Sequence, residues 1–292
     1  MAFFTPKREE FDYETERTCS HCEHRFKGRF CSHCGQKVIE KEDFGLIQYI
    51  SGLLGAYTSF DGKFWNSLRT LLRFPGKITY DLNRGITMPY MKPITFFFLA
   101  NFIYFLLPYN YTFNSSLESQ LTQMPYSKVA KELVKDKMIS KNVTEAELTI
   151  AYEDTSYSLA KLLLFLLVIL LLPFIYLVSF RSGQGFAEYF HFSLELSAFI
   201  ILVPLVGVSL LRDGMAWISV SFGFIWDGRI GDGPYSSFLS LIILVFLVYA
   251  FRKAMGFSWI QSVWKASVIT FSLIFVLTAF RFILFLATLS SI

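Results

Sequence analysis

Four cysteines are the residues of this chain whose types and spacing point most directly to chemistry. They fall as Cys19-Ser-His-Cys22 and Cys31-Ser-His-Cys34, two C-x-x-C pairs with eight residues between them. Zn²⁺ takes four soft ligands at tetrahedral corners, and two tight C-x-x-C turns facing each other supply them. Cys19, Cys22, Cys31 and Cys34 are therefore expected to hold a structural Zn²⁺ in a small ribbon; iron in a rubredoxin-like site uses the same spacing. Between the pairs, Phe26-Lys-Gly28-Arg-Phe30 reads as a hairpin turning at Gly28. Gly35 follows Cys34, where a turn back onto the thiolate favours positive φ, and Glu23 holds that place after Cys22. His21, His24 and His33 sit in the knuckles, but four thiolates already fill a tetrahedral shell, so they are expected behind the ligands or in solvent. A thioredoxin-like redox pair is disfavoured, because no βαβ pattern surrounds it and one pair would suffice. Cysteines kept as thiols for a metal set this segment in a reducing compartment.

The elements that must carry such a ribbon are apolar. Of 292 residues 53% are hydrophobic, 33 are Phe and only 17% are charged, which is too little charge for a soluble domain of this size. The apolar residues cluster in long runs, so the fold class expected is an all-α membrane protein. Five runs are read as spans, at 94–109, 159–180 with a kink at Pro173, 192–211, 237–251 and 266–288. Segment 215–226 is too short to span and reads as re-entrant or interfacial, with Trp217 and Trp226 at headgroup level. Residues 1–18 are charged and read as a mobile tail, leaving the first apolar run to act as an uncleaved insertion signal. The ribbon is assigned to 19–40, amphipathic interfacial helices to 43–92, and a five-span domain to 93–292.

Within 43–92, Asp43 is a candidate N-cap for a helix carrying Phe44, Ile47, Ile50, Leu54 and Tyr57. A second helix follows, with Phe64, Trp65, Leu68, Leu71 and Leu72 among Lys63, Arg69 and Arg73, and Pro75-Gly76 ends it. Basic residues interleaved with Trp and Phe suit the membrane interface; packing on the protein's own bundle fits the pattern equally. In loop 110–158, Thr144-Glu-Ala-Glu147 is a capping box and 126–139 carries an amphipathic pattern.

Basic residues near the span ends set the orientation. Lys63, Arg69, Arg73, Lys77, Arg84 and Lys92 precede the first span, and Arg252, Lys253 and Lys265 lie between the last two with no acid. Loop 110–158 instead sets five lysines against seven acids, and 212–235 two arginines against three aspartates. The expected arrangement has the N-terminus and ribbon cytoplasmic and the C-terminus extracytoplasmic, in a bacterial inner membrane.

Ionisable and amide side chains inside apolar runs are functional flags. Asn101 lies mid-run and is expected to bond another helix. Glu195 lies near the start of the third run and Arg281 in the outer half of the fifth, about 20 Å apart in depth by helical rise. They are not expected to pair; Arg281 is expected to reach headgroups or Asp213, Asp227 or Asp232. Glu188, His191 and Glu195 share a helix face, but without a second such helix they read as a solvated helix end rather than a metal site. The Asp227–Asp232 stretch lacks the ligand spacing of a Ca²⁺ loop. No Ser, His and Asp arrangement and no phosphate-cradling Gly loop is present, which removes the usual footing for catalysis.

The ribbon Cys-x-x-Cys…Phe-x-Gly-x-Phe-Cys-x-x-Cys-Gly-Gln is followed by Leu68-Arg-Thr-Leu-Leu-Arg-Phe-Pro75-Gly76 and by Asn83-Arg84-Gly85…Pro89-Tyr90…Pro93. This series resembles an uncharacterised bacterial family of multi-pass membrane proteins with an N-terminal zinc ribbon, over residues 19–110; that resemblance implies no activity. The membrane part is more loosely similar to the Yip family of five-span proteins of membrane traffic, which implies an adaptor or membrane-organising role. The function expected is a non-enzymatic membrane adaptor or assembly factor, its ribbon docking a protein and its bundle contacting lipid, a partner or a second copy. A small-solute or ion transporter or channel is the first alternative, and a membrane enzyme acting on lipid the second. A net charge of +4, dispersed along the chain, gives no footing for nucleic acid, and no small-molecule substrate is indicated.

Overall fold

The computed structural model describes residues 12–38, 62–106, 113, 115–180, 185–222 and 232–292. The helix expected from Asp43 lies outside them, as do Trp226 and Asp227. The ribbon opens with strand β1 (Arg17–Thr18), paired antiparallel with β2 (Arg25–Phe26); Phe30 bridges to Lys37. Each pairing closes over one C-x-x-C knuckle, so the chain does not fold back at Gly28 as the sequence suggested. Helices follow: α1 (Gly62–Arg73), α2 (Lys77–Leu82), α3 (Pro93–Leu106), α4 (Leu117–Thr122), α5 (Ser127–Lys141), α6 (Glu145–Leu163) and α7 (Phe165–Ser179). Then come α8 (Phe186–Ile200), a π-helical stretch Ile201–Gly207, α9 (Val208–Ser221), α10 (Asp232–Ala250) with a π turn Phe251–Met255, and α11 (Trp259–Ser291).

The expectation of five spans is corrected. Among the described residues three helices are long and apolar enough to cross a membrane: Phe186–Ser219, Pro234–Met255 and Trp259–Ser291; a fourth is added if α6 and α7 act together. Within the described residues the run at 94–109 is α3, whose 14 residues reach about 21 Å against a hydrocarbon core of about 30 Å. One face of it packs on protein: Phe97, Ala100 and Tyr104 are fully buried where α3 meets α8, the π-helical stretch and α6, while Phe102 and Leu106 are exposed. The run at 159–180 is broken at Leu164, where α6 and α7 meet at 54°, while Pro173 sits inside α7. Residues 215–221 continue the long helix from Phe186 rather than folding back.

α11 packs on α10, α7 and α6, while α8 packs on α7 and α3, giving one continuous apolar core. At 33 residues, α11 runs about 50 Å, well beyond a bilayer core. Its projecting end carries Phe285 and Leu289 into a second core with Leu117, Ala130, Val134, Leu148 and Tyr152. That cap, α4 to the start of α6, is opened at α6 by the Thr144–Glu147 capping box. The ribbon sits at the other end of α3, against the loop that precedes it.

Candidate metal centre and its seat on the bundle

The two knuckles have the same backbone. Cys19 N donates to His24 O (2.9 Å) and Glu23 N to Cys19 O (3.0 Å); Cys31 N donates to Gln36 O (2.8 Å) and Gly35 N to Cys31 O (2.9 Å). Both turns need a left-handed residue after the second cysteine. Gly35 takes φ 74° and Glu23, despite its Cβ, takes φ 60°.

Folding two such turns together brings the four Sγ atoms within 4.8 Å of one another. Cys19–Cys34 and Cys22–Cys31 stand at 3.6 and 3.7 Å. A tetrahedral shell with metal–sulfur bonds of about 2.3 Å has edges of about 3.8 Å, so the donor set fits a single tetrahedral ion. Burial raises the Cys19 thiol, but the N–H groups of Cys22 and His21 and the sulfurs of Cys34 and Cys22 bring it down to about 7. At Cys34 the Gln36 N–H lowers the thiol, while burial and the sulfurs of Cys22, Cys19 and Cys31 push it up to about 12. Four sulfurs this close cannot all be thiolates without a cation among them. His24 and His33 lie outside the shell with their rings 5.4 Å apart; His21 is exposed.

Gln36 ties this centre to the bundle. Its backbone carbonyl closes the second knuckle, and its side chain, only 3% exposed, enters the loop before α3. The amide Nε2 donates to Gly85 O (2.8 Å) and Thr87 Oγ1 (3.0 Å), and Oε1 accepts from Thr87 N (3.1 Å) and Met88 N (2.9 Å). The same loop is fixed from the other side: His191 Nδ1 meets Asn83 Oδ1 at 3.0 Å, Tyr90 donates to Asp81 (2.5 Å), and Met91 N donates to Ser67 Oγ (2.9 Å). Lys77 pairs with Asp81 at 2.7 Å. Burial, together with Asp81, raises the Tyr90 phenol above its usual range.

Glu195, read from sequence as part of a solvated helix end, is buried at 5% exposure, as is His191. The reason is that α2 covers it. Glu195 Oε1 accepts from Gly76 N (2.9 Å), and Oε2 from Thr79 N (2.8 Å) and Thr79 Oγ1 (2.6 Å). A carboxylate of α8 thereby caps α2, whose own flanking residue Gly76 has no side chain to do so. Gly76 has φ 77°, and a Cβ there would stand 2.5 Å from Ala250 O, so α2, α8 and α10 meet at this point.

Asn101 donates to Lys161 O (3.2 Å) at the turn where α6 breaks from α7. In an unbroken helix that carbonyl would accept from Phe165, and a side chain entering the ladder accompanies the bend. Arg281 is not near Glu195; it faces Met124 of the cap and lies close to Tyr126. Nor does it reach Asp213, which pairs with Arg212 at 2.8 Å. Sequence reasoning missed the roles of Gln36, Gly76 and Asn83, although each stands inside a quoted motif.

The fold and site define an integral membrane protein of packed helices with a four-cysteine metal cluster near its N-terminus. Residues 61–105, which cover α1, α2, the clamped loop and nearly all of α3, match a family model described as a protein of unknown function, DUF3667. No curated protein and no solved structure matches the chain. No link to the Yip family is shown, and the five spans that formed part of that likeness are not found among the described residues.

Proposed function

We propose that the protein is a non-enzymatic membrane adaptor whose Zn²⁺ ribbon, on the cytoplasmic face, presents a fixed docking surface to a protein partner. The observation that supports this reading is the clamp at Gln36. A ribbon whose buried apolar side chains are few, with Phe26 the main one beside Cys19 and Cys31, is held rigid by its metal and immobile by the bundle. Among the described residues its outer face is exposed: Phe30 is 58% exposed, beside exposed Arg25, Lys27 and Arg29 and the adjacent rings of His24 and His33. Aromatic and Arg side chains on a rigid base are the composition of an interface anchor.

A photo-crosslinker placed at Phe30 in native membranes tests it. A discrete protein adduct at Phe30, lost on chelation and not formed from exposed Lys135 of the cap, is the expected result. An identical adduct pattern from both positions, or no adduct at Phe30, sinks the reading. Stoichiometric zinc in elemental analysis tests the metal separately.

A further inference from the structure

The ribbon end of the bundle gathers cations around two aromatic rings, half-buried Tyr80 and exposed Trp259. Tyr80 of α2 has the Arg84 guanidinium 5.2 Å and the Lys253 ammonium 4.3 Å from its ring centroid. The two come from separate elements, the loop after α2 and the π turn after α10, and both side chains are exposed. Arg84 also donates to the Tyr80 hydroxyl. Neither has an ion pair among the described residues. Beside them Arg252 lies 3.8 Å over Trp259, and α1 turns Arg69 and Arg73 outward with Trp65 and Leu72.

The level of this cluster matters. The span Pro234–Met255 ends just past Lys253, and the next begins at Trp259, so these cations stand where hydrocarbon gives way to headgroups. Leu241, Val245 and Tyr249, four residues apart, form an exposed apolar strip on α10 leading up to Lys253. A ligand fitting both features carries an anionic head and an apolar tail. On α9, by contrast, Arg212 is paired with Asp213 at 2.8 Å.

We propose that Arg84 and Lys253, bracketing Tyr80, hold the phosphate of an anionic phospholipid whose acyl chain lies along Leu241, Val245 and Tyr249. The test uses the full metal-loaded chain in native mass spectrometry, with phosphatidylglycerol and phosphatidylcholine of equal chain length. Phosphatidylglycerol is expected to be retained over phosphatidylcholine. Each cation near a lipid surface contributes about five-fold, so R84Q/K253Q weakens retention about 25-fold. The charge-conserving R84K/K253R keeps it, and K131Q/K135Q in the cap leaves it unchanged. If the double variant does not fold, K253Q alone, at an exposed side chain, carries the five-fold loss. Equal retention of the two lipids, or undiminished phosphatidylglycerol on the folded glutamine variant, overturns the proposal. Displacement of the lipid by glycerol phosphate at matching concentration also overturns it, by marking a free-phosphate site.

Discussion

Replacing Glu195 with Ala isolates the contact on which the N-terminal helices rest. Both carboxyl oxygens accept from buried backbone N–H groups, Gly76 N at 2.9 Å and Thr79 N at 2.8 Å, and Thr79 Oγ1 adds a third contact at 2.6 Å. Glu195→Ala leaves two buried donors without an acceptor, at about 1–3 kcal/mol each. The variant is therefore expected to weaken the docking of α2 by about 2–6 kcal/mol. Hydrogen exchange by mass spectrometry over residues 75–82 reads this as local opening. The low end corresponds to roughly thirty-fold faster exchange at Thr79. Glu195→Gln keeps one carbonyl and is expected to fall between wild type and Ala. The cap around Leu117 and Leu148, packed in its own core, should exchange as before. Unchanged protection over 75–82 in the Ala variant would refute the reasoning, since it would mean that the two N–H groups find other acceptors.

Gln36→Ala should free the ribbon without emptying it: protection at Thr87 and Met88, whose N–H groups Gln36 accepts, drops by about 1–3 kcal/mol while metal stoichiometry holds, and retained protection would contradict the clamp. Glu23→Gly removes the Cβ from a left-handed position at φ 60°, worth about 1 kcal/mol, so the ion should resist a competing chelator about five-fold better; equal or weaker retention counts against the strain. Gly76→Ala places a Cβ 2.5 Å from Ala250 O at φ 77° and should cost about 2–5 kcal/mol, seen as a lower Tm in detergent, with an unshifted Tm the refuting result. Chelation of wild type should expose residues 85–88 to exchange as Gln36→Ala does, because Gln36 O closes the metal knuckle; a loop that stays protected would uncouple the two.

What the sequence made legible followed from local chemistry. The clustering of the four cysteines was readable because C-x-x-C turns are short-range objects, and the start of α6 because a capping box is complete within four residues. The span count was not, for a physical reason: a run such as 94–106 has the composition of a lipid-facing helix although one face of it, with Phe97, Ala100 and Tyr104, is covered by protein, and composition does not say which solvent surrounds it. The break at Leu164 escaped for a related reason. The side chain that meets the freed carbonyl, Asn101, lies sixty residues away on α3. Glu195 looked like a solvated residue because periodicity places it on a polar face, and only the docking of α2 shows that this face is covered.

The three long-range contacts converge on one short segment. Gln36 comes from the ribbon, His191 and Glu195 from one face of α8, and their partners Asn83, Gly85, Thr87, Met88, Gly76 and Thr79 all lie between 76 and 88. Residues 61–105, matched by the family model, thus contain one half of each contact, including the N–H donors of Gly76, Thr79, Thr87 and Met88, and none of the three side chains Gln36, His191 and Glu195 that reach in from outside. Such a segment cannot hold its shape alone. α2 has only six residues, too few for a stable isolated helix, and its flanking Gly76 leaves it uncapped until Glu195 arrives. The metal knuckle, through Gln36, and the bundle, through α8, therefore order the same loop from opposite sides. Stability gained at either contact is shared by the other, which makes the loop before α3 the place where the ribbon and the membrane helices act on each other.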